Sequence, residues 1–207
     1  MPRTIDPPEP PLHDGDLLLR PWRESDADAV AAACRDPEIA RWVPVPVPYR
    51  LEDALDFIRS NRMAWREGIG AAFAVVDAAS DRLLGAITLH RAREREAFVG
   101  YWVAPEARGR GVATRALRLV ARWAFATLPL VRLSLYRDVG NEASGRTAEK
   151  AGFVREGVLR SYADHRGEPR DCVMYSLIRS DAVVAAGAQA ASEAVLPDAG
   201  ASEAASP

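Results

Sequence analysis

Lysine is almost missing from this chain: of 27 basic residues only Lys150 is not arginine. A P-loop needs Lys followed by Ser or Thr after its second glycine, and Gly111 is followed by Val112 and Ala113. Cysteine is as scarce. Cys34 and Cys172 are too few for a disulfide framework and fit a reducing compartment. The three histidines, His13, His90 and His165, form no pair and show no metal-ligand spacing, so no metal is expected. Net charge is only −2, which supplies no basic field and argues against nucleic acid as a main partner. No uncharged apolar run approaches the roughly 18 residues of a membrane span. The start, MPRTIDPPEPP, has no apolar core of an export signal. These absences together predict a cytoplasmic protein with no membrane partner.

What is present fits one globular domain. The 207 residues are 48% hydrophobic and 27% charged. Residues 1–14 carry five prolines and are expected to be extended or disordered. Residues 181–207 are Ala-rich with few large apolar side chains, and are expected to be a disordered tail in which Ala182–Ala191 forms at most a frayed helix. The domain is then 15–180.

Within it, Asp16–Arg20 reads as a strand and Ser25 as the cap of a helix running to about Arg35. Arg50–Glu67 reads as a helix with Leu51, Ala54, Leu55, Ile58 and Met63 on its apolar side. Phe73–Asp77, Leu83–His90 and Ala97–Val103 follow as strands, with further strands at Val131–Tyr136, near Val154–Ser161 and at Asp171–Ile178. Strands dominate a mixed α/β (α+β) pattern.

The most informative stretch is Arg108–Thr114, RGRGVAT, between a strand and a helix that puts Ala113, Ala116, Leu117, Val120, Trp123 and Ala124 on one face. Backbone N–H groups at a helix N-terminus converge on an anion. Gly109 and Gly111 let a phosphate approach the backbone, and Arg108 and Arg110 add charge at the mouth. A dinucleotide fingerprint would need a glycine where Thr114 stands and would sit on the first strand of its domain. The loop therefore reads as a diphosphate cradle of another kind, against a plain glycine-rich turn. Downstream, Asn141–Phe153 (NEASGRTAEKAGF) is a short helix capped by Asn141, with Gly152 past its end and Phe153 closing it. Asn141 and Ser144 fall one turn apart, facing the glycine loop.

VGYWVAPEARGRGVATRAL (Val99–Leu117) together with NEASGRTAEKAGF resembles the GNAT superfamily of acyl-CoA-dependent N-acetyltransferases, with Arg108, Gly111 and Ala113 on the family's Arg/Gln-x-x-Gly-x-Gly/Ala signature. Gly157–Arg179 is similar to the RimJ/RimL-type branch. The resemblance spans roughly Asp16–Arg179. It implies a twisted, mixed, mostly antiparallel sheet flanked by helices, and acetyl transfer from acetyl-CoA to a primary amine. That amine is a protein or peptide N-terminus, or alternatively a small molecule such as an antibiotic or polyamine. A catalytically weak CoA-binding regulatory module is the other alternative, and a homodimer is left open.

For the cofactor, the resemblance implies that the amides of Arg108, Gly109, Arg110, Gly111, Val112, Ala113 and Thr114 hold the pyrophosphate. The strand edge at Trp102 and Val103 pairs with the pantetheine amides, and Asn141 and Ser144 bond its arm. Many relatives protonate the leaving thiolate with a tyrosine in the helix after Asn141. Here that position is Ala148, which leaves Ser144 as candidate acid and Tyr162 and Tyr136 in reserve. For a base, Glu94, Glu96, Asp164 and Glu168 lie in plausible regions and none is singled out, so the base is unknown. Arg41–Tyr49 (RWVPVPVPY) reads as a stiff linker, or as a preformed acceptor wall faced by Trp42 and Tyr49; the resemblance supports the wall.

Overall fold

Gly70–Asp77 and the first seven residues of Leu83–Arg93 are buried at nearly every position, so both faces of these strands are covered and their near-continuous apolar runs are explained. They are the centre of an eight-stranded sheet in a computed structural model that describes residues 4–181. In chain order the elements are β1 (Leu12–Asp14), β2 (Leu17–Pro21), α1 (Ala27–Cys34), α2 (Pro37–Trp42), α3 (Leu51–Glu67), β3 (Gly70–Asp77), β4 (Leu83–Arg93), β5 (Glu96–Val103), α4 (Val112–Thr127), β6 (Arg132–Asp138), α5 (Glu142–Lys150), β7 (Val154–His165) and β8 (Glu168–Ile178). The sheet order is β1-β2-β3-β4-β5-β6-β8-β7. Every neighbouring pair is antiparallel except β5 with β6, which is parallel. The expected mixed, mostly antiparallel sheet with flanking helices is what forms.

α3 and α4 meet the sheet through aromatic side chains. Trp65 of α3, Phe73 of β3 and Trp123 of α4 form an aromatic cluster with ring centroids 5.1–5.8 Å apart. The Trp65 indole donates to the Ala72 carbonyl at 3.1 Å, so its one polar atom is satisfied in the core. Arg20, 3% exposed, is held by both oxygens of Asp26 and by Asp81 at 2.8–2.9 Å.

Four expectations need correction. The N-terminal segment is anchored: Ile5 is buried and its N–H donates to Trp65 O at 3.1 Å, while Leu12–Asp14 adds a strand to the sheet edge. Prolines fix an extended path, and one isoleucine with a few backbone bonds suffices to dock it. Ser25 caps nothing; residues 24–26 form a 3₁₀ turn closed by Asp26, which accepts from Arg23 N at 2.8 Å. On α3, Leu51 and Met63 are exposed, and the face that packs is Ala54, Ile58, Asn61 and Trp65. Finally, α2 was not expected. Its signal was Asp36-Pro37, an N-cap followed by proline at the first helical position, and Asp36 does accept from Ile39 N at 3.0 Å. The expected tail beyond residue 181, with its frayed helix, lies outside the described residues, as do residues 1–3.

Candidate active site

The glycine loop closes β5 and starts α4. Gly109 and Gly111 have φ of +74° and +72°, the left-handed region in which a side chain is strained although open space surrounds both positions. Gly111 is the N-cap of α4, makes no side-chain cap bond, and leads a first turn without acidic residues. The positive end of a sixteen-residue helix is thus left for an outside acceptor. Residues 108–111 are exposed, whereas Val112 is buried and anchors the loop. Arg108 does not stand free at the mouth as expected. Its guanidinium pairs with Asp36 at 2.5 Å, and this contact holds the Asp36 carboxyl below the usual carboxylate range. The same carboxylate caps α2, so Arg108 ties the loop to that helix.

Beside the loop the sheet opens. β5 and β6 pair only at Glu96↔Arg132, Ala97↔Leu133 and Phe98↔Ser134. Beyond them β5 stays with β4 as far as Val103, and β6 stays with β8 as far as Asp138. The edges Val99–Val103 and Leu135–Asp138 therefore diverge, and the gap opens toward the glycine loop. Trp102 is 9% exposed and Val103 is half-buried, so these two can serve a ligand through backbone rather than side chain.

α5 stands at this gap. Gly145 makes its close approach possible, since a Cβ there would lie 2.6 Å from the Arg137 guanidinium and 2.8 Å from the Tyr175 hydroxyl. Asn141 caps the helix as expected, accepting from Ser144 N at 3.1 Å. The Ser144 hydroxyl lies 2.9 Å from that of Tyr101, which also donates to the Ser144 carbonyl at 3.2 Å. Tyr101 comes from β5 and was missed from the sequence, where nothing in the strand alternation singles it out. Burial pushes its pKa up, so its proton is retained at neutral pH. Ala148, one turn beyond Ser144 on the same helix face, is fully buried. The phenol that the helix lacks is brought to its neighbourhood by the strand.

The reserve tyrosines form a separate group. Tyr136 packs edge-on against Tyr162 at 5.1 Å and against Phe98 at 6.1 Å. Phe98 is the last paired residue of β5, so this aromatic row marks the inner end of the gap. Of the carboxylates, Glu94 lies in the β4–β5 turn and Glu96, 4.0 Å from Arg93, starts β5. Asp164 is committed to the β7–β8 turn, accepting from Gly167 N at 3.0 Å, and Glu168 lines a neighbouring cleft.

That cleft, about 720 Å³, lies between α2, the proline segment and the β7–β8 turn. Trp42 borders the site: its ring edge lies against Gly140, next to the α5 cap, and its indole donates to Glu38 at 3.1 Å. Tyr49 departs from expectation. It is 6% exposed, its side chain turned toward Cys34, and Arg35 Nε donates to its carbonyl at 3.2 Å. The ring is turned into the core and only its margin reaches the cleft, so it is no open aromatic wall. Burial raises the Cys34 pKa to about 11. Among the described residues no cluster could hold a metal ion and no helix is long and apolar enough to cross a membrane.

Comparison with known proteins gives a consistent result. The family model described as acetyltransferase (GNAT) domain matches residues 16–154. An uncharacterized N-acetyltransferase YoaA of Bacillus subtilis (strain 168) is 30% identical over 172 residues, 82% of this chain and 97% of the relative. A putative ribosomal N-acetyltransferase YdaF of the same organism is 39% identical over 101 residues, 48% of this chain and 55% of the relative. Among solved structures, a GNAT-family acetyltransferase from Bacillus anthracis superposes with a TM-score of 0.73 at 25% identity, covering 82% of this chain and 98% of that one.

Proposed function

The chain belongs to the acetyltransferase (GNAT) family, and from that premise we propose that it transfers the acetyl group of acetyl-CoA to the α-amine of a peptide or protein N-terminus. The observation that carries the reading is the gap between β5 and β6 that ends on the uncapped, glycine-led start of α4. An extended arm with amides fits the one and a diphosphate fits the other.

In this reading the backbone N–H groups from Arg108 to Thr114 hold the diphosphate, with Arg110 supplying charge while Arg108 fixes the loop on α2. The free edge of β5 from Val99 to Val103 pairs with the amides of the pantetheine arm. Asn141 has spent its side-chain oxygen on the helix cap, which leaves its NH₂ to donate to the same arm. When bound, acetyl-CoA would supply an activated thioester whose C–S bond breaks as the neutral amine nitrogen bonds the carbonyl carbon, the nitrogen losing one proton to solvent as it becomes the amide. The Tyr101–Ser144 hydroxyl pair is the proton source for the departing thiolate, with Tyr101 held protonated by burial. A thiol with pKa near 8.5 leaves without a strong acid, so this pair assists rather than decides.

The acceptor follows from the amine that must be neutral to attack. An α-amine has pKa of about 7.7–8.0 against about 10.4 for lysine, so it suits a site without a strong base. The name of the relative YdaF, a putative ribosomal N-acetyltransferase, supports the same acceptor class. Two free, buried cysteines suit a reducing, cytoplasmic setting. Thiol release from acetyl-CoA, measured across a panel of amines, tests the proposal. Peptides with free N-termini should turn over well ahead of N-blocked, lysine-containing peptides. The reverse order, or turnover confined to polyamines or aminoglycosides, overturns it.

A further inference from the structure

The cleft beside the site is more basic than the chain's overall charge implies. The whole chain carries −2, yet Arg35, Arg41, Arg166 and Arg170 line this one cleft, and its only lining carboxylate is Glu168. Their geometry leaves charge to spare. Arg166 gives one nitrogen to the carbonyls of Ala40 and Val45, at 2.9 and 3.3 Å, which pins the β7–β8 turn to α2 and the proline segment. Arg35 uses only its Nε, on Tyr49 O. Arg41 lies over the Trp42 ring at 4.5 Å and makes one exposed 3.4 Å contact with Glu38. Arg170 stands 3.7 Å from Asp138, beyond hydrogen-bond distance. The neighbouring carboxylate of Asp36 is already taken by Arg108.

The cleft also adjoins the reaction site. Asp138 accepts from Gly140 N at 2.8 Å, and Trp42 packs on Gly140, the residue before the α5 cap. Two cleft residues thus lead toward the α5 cap: Arg41 precedes Trp42, and Arg170 lies 3.7 Å from Asp138.

We infer that this cleft selects acceptors by charge: it takes acidic side chains that follow the N-terminal residue of a peptide, while that residue's amine is acetylated. The inference rests on the α-amine reading above. Carboxylates meet guanidinium forks here, whereas a polyamine or a lysine-rich segment meets like charge. Bound acidic residues would replace the solvent that now screens four arginines from one another.

The test uses three peptide series with one N-terminal residue and acidic, neutral or basic residues at the next four positions. The acidic series should exceed the neutral one by about tenfold in kcat/KM, the basic series should be poorest, and added salt should shrink the differences. The double variant Arg41→Gln/Arg170→Gln removes two charges that hold no backbone carbonyl among the described residues. It should melt as the parent does and bring the acidic-to-neutral ratio to about one, while Arg41→Lys/Arg170→Lys should keep most of the preference. Binding of N-acetylated acidic peptide, followed by fluorescence anisotropy, reads the cleft without turnover. If no peptide is acetylated but this product-like peptide binds and the Gln variant loses it, the α-amine reading falls and the acidic cleft stands. Equal kcat/KM across the three series, or failure of the acidic peptide to bind, overturns the cleft.

Discussion

The two halves of the sheet are built differently. From β1 to β5 the ladders run nearly unbroken, β3 and β4 are covered on both faces, and Arg20, the least exposed of the buried polar residues, is held by the carboxylates of Asp26 and Asp81. From β6 onward the strands are more open. β7 is exposed along most of its length, and its register with β8 shifts between Leu159 and Ala163. The two halves are joined by three residue pairs of β5 and β6. The N-terminal half carries the better-covered strands, and the seam where the second half leaves it is the gap assigned above, as a proposal, to the arm of acetyl-CoA. Stability and function are therefore expected to respond to different residues.

The sharpest break of this contrast is Arg20→Ala. It leaves Asp26, nearly buried, without its partner, and should cost about 3–5 kcal/mol, read as a large drop in melting temperature. A melt close to the parent's would mean that the N-terminal half does not carry the stability. At the seam, Asn141→Ala should cost about 0.5–2 kcal/mol through the lost cap and also weaken use of acetyl-CoA. Asn141→Ser separates the two effects: it restores the melt but not the cofactor KM, because a hydroxyl cannot reach as the amide does. Full recovery of KM would reduce Asn141 to a cap.

The smallest effect belongs to the C-terminal half, where Arg132 and Ser176 hold the Glu156 carboxyl down to about 2 from its ordinary 4.5. The folded value lies below the unfolded one, so the stabilisation is present above about pH 4.5 and is lost as pH falls toward 2. The Glu156 side chain is 39% exposed, which limits the contribution to below about 1 kcal/mol. Glu156→Gln should flatten the pH dependence of the melt in that window, lowering stability at pH 7 by that small amount and converging with the parent near pH 2. An unchanged acid limb would show that the pair contributes nothing.

The sequence was most legible where a local signal is also the structural cause. The glycines at 109 and 111, the cap at Asn141 and the reversal at Gly152 act through backbone geometry within a few residues: the three glycines have positive φ and Asn141 caps α5. The central strands declared themselves by apolar runs. What was not legible depends on contacts far apart in the chain. Arg108 read as free cradle charge because Asp36, its partner, lies 72 residues away. Tyr101 meets Ser144 across 43 residues, and strand alternation gives such a pairing no trace. Tyr49 read as a surface aromatic because prolines around it suggest an exposed linker, yet the turn they make points its ring inward at Cys34. The partial pairing of β5 with β6 is invisible in either strand alone.

The central claim is that the glycine-led start of α4 seats the diphosphate of acetyl-CoA. Gly111→Glu tests it most directly, because it strains a left-handed residue and sets a negative charge at an exposed position with open space around it. Calorimetric titration of acetyl-CoA into the parent and the variant, each checked by thermal melt, reads the result. The account predicts binding by the parent and none by a variant that remains folded. A folded variant that binds acetyl-CoA as the parent does would contradict it.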